Sequence, residues 1–197
     1  MRSGGSQHAI DDALRHVPRD PVNCRFIEAW LGWRGERRLV PRRAEIDIAD
    51  IKTLLGRVIL FELLGPDDIR VKVAGSQLRD HADFEATGRN LAELTLPEQW
   101  PLRRYRLMTM AQRPCGGVTI LHGRPGSRNE GTTFETVALP LAPDHSAKPP
   151  LLISNVAVIA GSGSPVGELK PQPPILLLPE DFRFVDLGAG VPERERP

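Results

Sequence analysis

The chain has 197 residues, enough to bury a core in a single domain without disulfide or metal staples. Hydrophobic residues make up 40 % and charged residues 26 %, and 26 Lys and Arg against 25 Asp and Glu leave a net charge of +1, which gives no reason to expect nucleic-acid binding. No apolar run is long enough to span a membrane, no signal segment is visible, and Cys24 and Cys115 set neither a disulfide framework nor a metal spacing, so a cytoplasmic protein is expected.

Residues 1–19 are polar, with a short helical stretch at Ala9 to Val17 and little expected order. Asp20-Pro21 reads as a helix cap followed by proline at the first helical position. Phe26, Trp30 and Trp33 recur at helical spacing, Ile27 and Leu31 widen the stripe, and Gly35 ends it. So broad an apolar face must cover either its own sheet or a second subunit. Asp47 caps a second short helix, with Ile48, Ile51, Leu54 and Leu55 as its buried face and Gly56 as its stop. Val58 to Leu64 and Ile69 to Ala74 form a hairpin around the turn Gly65-Pro66-Asp67-Asp68. Gly75 to Leu94 reads as short helices and turns. Thr95 and Glu98 form a capping box for a helix running to about Gln112, with Leu96, Trp100, Leu107 and Met110 on one face. Three strands follow, Gly117 to Arg124, Thr132 to Leu141 and Leu151 to Ala160, with a hairpin turn at Pro125 to Gly131. "GSGSPVGELKPQPP" is a linker by composition, and the apolar segment Ile175 to Leu187 is expected to drape on the body. The expected division is a flexible N-terminus over 1–19, a folded domain over 20–160 and a Pro/Gly-rich linker and tail over 161–197. The fold class is α+β: five antiparallel strands, helices between strands two and three, and an N-terminal helix.

The segments "WLGWRGERRLVPRRAEIDIADIKTLLGRVILFEL", "IRVKVAGSQLRD", "TGRNLAEL" and "TFETVALPLAPD" carry a resemblance. Together with the element order they resemble PAS domains, and most of all a branch of stand-alone PAS-like bacterial proteins of unassigned role found mainly in alphaproteobacteria. The resemblance covers roughly residues 26–160. It implies a five-stranded antiparallel sheet whose inserted helices enclose a small central cavity, a fold that hosts many ligands and often none.

Two stretches resemble the reactive-cysteine segment of flavin-binding blue-light sensors. "NCRF" contains Cys24, but that residue precedes every strand, and the resemblance places the reactive thiol after the first two. "GRNL" stands in the right place, with Gly88, Arg89 and Asn90 matching and Leu91 at the cysteine position. Leucine has no thiol, so the flavin adduct is not expected. The haem-binding branch implies a histidine on the long helix, and Leu96 to Gln112 has none. His8, His16, His81, His122 and His145 form no metal-binding spacing. No cofactor and no metal are expected.

The cavity implied by the resemblance has Gly75, Leu91, Trp100, Arg103, His122 and Phe134 as candidate lining residues. Gly75 ends a strand, either as a cavity lip or as a plain turn with close backbone approach. Arg103 interrupts the apolar stripe of its helix, where it either snorkels or pairs internally, or meets an anion in the cavity. His122 alternates with Val118 and Ile120. Trp100 and Phe134 are core or wall aromatics. Glu135 reads as an exposed strand residue or as a carboxylate that pairs with an arginine. No nucleophile-and-base arrangement is visible, so an enzyme is not expected. The leading expectation is a sensory or regulatory module that binds a small molecule or a separate signalling partner protein. It would act as a homodimer through Phe26, Ile27, Trp30 and Trp33. A ligand-free interaction module of the same fold and an enzyme using the cavity remain as alternatives.

Overall fold

The computed structural model describes residues 4–36, 38–78, 85–123, 129–161 and 177–193. Helix α1 (Gly4–Arg15) and helix α2 (Pro21–Arg34) open the chain. Asp20 starts α2 as expected: its carboxylate accepts the Val22 amide at 2.7 Å, and Pro21 stands in the first turn, where no intrahelical donor is needed. Gly35 ends α2 at φ +63°, a conformation open to glycine, and its N–H bonds Leu31 O at 3.1 Å.

The helix expected from Asp47 to Gly56 does not form as one piece. Two 3₁₀ turns, Ile48–Ile51 and Leu55–Arg57, take its place after an earlier one at Arg43–Glu45. Asp47 does cap, accepting from Ala49 N at 2.8 Å. Only Ile51 and Leu54 turn inward, while Ile48 is 61 % exposed. A helix this short needs a packed face to persist, and half of the intended face has none.

Strands β1 (Val58–Gly65) and β2 (Asp68–Ala74) form the expected hairpin, with Phe61 opposite Val71 and Leu63 opposite Ile69. A 3₁₀ turn at Leu91–Leu94 leads to helix α3 (Trp100–Gln112). The Thr95–Glu98 capping box is absent. The Thr95 hydroxyl donates back to Leu91 O at 2.7 Å, closing the 3₁₀ turn, and α3 begins later behind Gln99.

Strands β3 (Cys115–Gly123), β4 (Thr133–Leu141), β5 (Leu151–Ala160) and β6 (Leu177–Asp186) complete the sheet. The order is β2-β1-β5-β4-β3-β6, and all pairs are antiparallel. The sheet therefore has six strands, not the five expected. The sixth comes from the stretch read as linker and draped tail, although Ile175 itself lies outside the described residues. Pro179, Glu180 and Asp181 hide β6 in the sequence by breaking its apolar alternation. The structure accommodates them with a register shift: Ile120 pairs with Asp181 and Leu121 with Pro179. A bulge on an edge strand is where a proline is tolerated. Most of the hairpin turn expected at Pro125 to Gly131 lies outside the described residues.

Helices cover both faces of the sheet. Alternate residues of each strand face opposite ways. Val58, Leu60, Leu139 and Ile153 pack with Phe26, Ile27 and Trp30 of α2 and Leu14 of α1. Phe61, Leu63, Ile69 and Leu152 pack with Leu107 and Met110 of α3 and with Leu91 and Leu94. Gly117 seats α3, since a Cβ there would come within 2.7 Å of Met110 Sδ. Among the described residues no helix is long and apolar enough to cross a membrane.

Candidate functional site

On the α3 side, Arg103 stands four residues before Leu107 and seven before Met110, so it shares their inward face. Its Nη1 donates to Thr95 Oγ1 at 2.9 Å, and Thr95 is itself buried. No carboxylate among the described residues pairs with it. Desolvation pulls the guanidinium's pKa down to about 10, so it remains a cation at neutral pH. Yet the residue is only half-buried by accessible surface. The neighbouring arginines are accounted for differently. Arg104 Nη1 bonds Asp67 Oδ1 at 2.7 Å, and the Arg106 guanidinium lies 4.2 Å from the Phe182 ring centroid.

Leu91 is 3 % exposed in the same core, and Trp100 packs half-buried against it. Phe134 is buried, and its strand parity places it on this face with Ala138. His122 is not brought to Arg103. It stands opposite Thr133, its Nδ1 lies 3.0 Å from Thr133 Oγ1, and its parity with Val118 puts it on the α2 face. Gly75 is a close-approach glycine. Its N–H bonds Val58 O at 2.9 Å, and a Cβ would overlap the backbone of Leu55 and Gly56.

Phe26, Ile27 and Trp30 are fully buried, and Trp33 is buried with its indole N–H on Asp50 Oδ2 at 2.8 Å. The tryptophan helix thus covers its own sheet, the first of the two possibilities its breadth left open. Trp30 also donates to Pro140 O at 3.0 Å.

Under α2 lies a polar network that sequence reasoning missed. Glu135, read as exposed, has no exposed surface. Its carboxylate accepts from Arg19 N at 2.9 Å, Asp20 N at 3.1 Å and Asn23 Nδ2 at 3.0 Å. Asn155 Nδ2 donates to Asn23 Oδ1 at 2.8 Å. The available signal was Asn155 itself, a lone amide inside the apolar strand "LLISNVAVIA". At the other end of α2, Arg34 and Asp11 form a buried two-pronged ion pair, at 2.9 and 2.6 Å. Burial works to raise the Asp11 pKa, but hydrogen bonds from Arg34 and Gln7 and the charges of Arg34 and Arg15 outweigh it and hold the carboxyl below its usual range.

Neither cysteine is activated. Burial, with the Glu135 charge beside it, raises the Cys24 thiol's pKa, and burial pushes Cys115 up to about 11. Among the described residues no cluster of three or more His, Cys, Asp or Glu is placed to hold a metal. What the arrangement offers chemically is a cationic fork of donors at Arg103, of the kind that can pair with an anion.

A comparison with curated proteins found no match. A comparison with family models matched the PAS domain over residues 19–153, from the start of α2 into β5. That match spans well over half of the chain, and the chain belongs to the PAS domain family.

Proposed function

We propose that the chain is a sensory or regulatory module that takes a small molecule between α3, the Leu91–Leu94 turn and the sheet, and signals by changing an interface. Its mechanism is binding, not bond-making. The observation that carries this reading is Arg103, a half-buried, desolvated cation on the inward face of α3 whose hydrogen bond goes to the neutral Thr95 hydroxyl. A side chain kept charged in an apolar setting costs stability unless something else uses the charge. The output passes to a second copy of the chain or to a separate signalling partner protein. The tryptophan face of α2 is committed to the chain's own core, so the surface that changes lies elsewhere. Two unpaired cysteines suit a reducing cytoplasm. The sequence segments that resemble the alphaproteobacterial stand-alone branch support placing the chain there.

A ligand-free interaction module is the second reading. It is favoured by the close packing of Leu91, Leu107 and Met110 against the sheet. Native mass spectrometry of the full-length protein, compared with a denatured sample, separates the two. The sensor reading expects an extra mass that is lost on denaturation. A bare chain mass under both conditions would overturn it in favour of the interaction module.

A further inference from the structure

Arginine offers five N–H donors in a planar fork. Arg103 uses one, on Thr95 Oγ1. Thr95 has already committed its hydroxyl proton to Leu91 O, so its oxygen can only accept, and it fixes the Nη1 side of the fork. The Nε and Nη2 side meets no acceptor among the described residues. The core on this side of the sheet includes Leu91, Leu94 and Leu107, with Trp100 packed against it, and their side chains offer no hydrogen-bond acceptor to a guanidinium. Arg104 is paired with Asp67 and Arg106 lies over the Phe182 ring, whereas Arg103 faces inward with no counter-charge among the described residues.

We propose that Arg103, oriented by Thr95, anchors a site for a small organic monocarboxylate with an apolar body. The proposal rests on the sensory reading and names the ligand class for the same compartment. The free Nε–Nη2 edge suits the two oxygens of a carboxylate, which binds an arginine fork in bidentate fashion. One cation neutralises one negative charge. A doubly charged phosphate would leave excess charge in a desolvated site, and a neutral ligand would leave the guanidinium uncompensated. The surrounding leucines and Trp100 suit a short alkyl chain or an aromatic ring.

The test uses the full chain, freed of co-purified molecules by refolding, with isothermal titration of n-hexanoate, benzoate, hexanamide and inorganic phosphate. Wild type, Arg103→Lys and Arg103→Met are compared. At least one acid is expected to bind wild type, with hexanamide and phosphate much weaker. Arg103→Met should weaken the acid roughly ten- to hundredfold, the loss of a charge-assisted hydrogen-bonded pair. Arg103→Lys should fall between, keeping the charge but losing the fork. Arg103→Met melts at or above the wild-type temperature, because it removes a desolvated charge, and this shows that lost binding is not lost fold. Equal affinity of wild type and Arg103→Met for the acid overturns the site, as does no binding of either acid. Equal binding of hexanamide, or preference for phosphate, overturns the monocarboxylate. The sensory reading fails separately, on the absence of any co-purified mass in the native spectrum. A neutral co-purified molecule would keep that reading and sink the carboxylate.

Discussion

Glu135 is a carboxylate with no exposed surface and no cation bonded to it among the described residues, held by three N–H groups at 2.9 to 3.1 Å. Two of those donors are the backbone amides of Arg19 and Asp20, just before α2. Replacing Glu135 by Ala removes both carboxylate oxygens: the Arg19 and Asp20 amides lose their acceptor, while Asn23 Nδ2 keeps the Glu135 backbone carbonyl at 3.1 Å. Each donor left unpaired costs about 1–3 kcal/mol. Relief of the carboxylate's own desolvation offsets part of the sum, so the lower end, about 2 kcal/mol, is the expected loss. For a chain of this size that lowers the melting temperature by roughly 4–8 °C. Glu135→Gln keeps one carbonyl oxygen. Set at the Oε1 position, it still serves Asp20 N and Asn23 Nδ2 and strands only Arg19 N, a cost of about 1–3 kcal/mol. Urea unfolding followed by the fluorescence of buried Trp30 and Trp33 measures both variants. Amide exchange adds a local readout: Arg19 and Asp20 should exchange faster in both, while the β4–β5 ladder should stay protected in Glu135→Gln. A Glu135→Ala variant within about 0.5 kcal/mol of wild type, the range of ordinary surface substitutions, would refute the reasoning. So would a Glu135→Gln variant less stable than Glu135→Ala.

Asp11→Asn should cost about 3–5 kcal/mol at pH 7, because it leaves the Arg34 charge buried without a counter-charge and with one acceptor oxygen in place of two. The folded pKa of Asp11 lies below its ordinary value of 3.8, so its contribution is fully present above that value and is lost as pH falls through the folded pKa. Urea midpoints of wild type and variant should therefore converge below pH 3.8, and a gap that stays constant down to pH 2 would contradict the ion-pair account. Gly75→Ala should lose about 1–3 kcal/mol through overpacking, since its Cβ would meet fixed backbone and no movable side chain. An unchanged melting temperature would show that the β2 exit is looser than described.

The hairpin β1–β2 and helix α2 were legible because local signals agree with their packing. Asp20, Pro21 and Gly35 mark the ends of α2, and the Phe26–Trp30–Trp33 spacing marks its buried face. Arg103 was legible because it interrupts an apolar stripe. Glu135 was not. With helices on both faces of the sheet, both strand parities are buried, and alternation no longer tells inside from outside. Strand β6 was hidden by Pro179, whose place on an edge bulge depends on a partner strand far away in sequence. The Thr95–Glu98 pattern misled for a similar reason: Thr95 had two acceptable hydrogen-bond partners, and tertiary packing chose Leu91 O.

The pairing of β6 with β3 bears on the order in which the protein can fold as it is made. The family match ends at residue 153, but Gly123 at one end of β3 is paired with Leu177, and Cys115 at the other end with Asp186. During synthesis the β3 edge stays open until residue 186 has left the ribosome. Val185 and Leu187, which close the core under α1 and α2 beside Leu14, arrive just as late. An open edge and an unfilled core are the conditions under which nascent chains pair with one another. The matched stretch by itself thus leaves the β3 edge unpaired. The turn after helix α1 and strand β6, both outside it, meet through the bond from Arg183 Nη2 to Val17 O and tie the sheet to both ends of the chain.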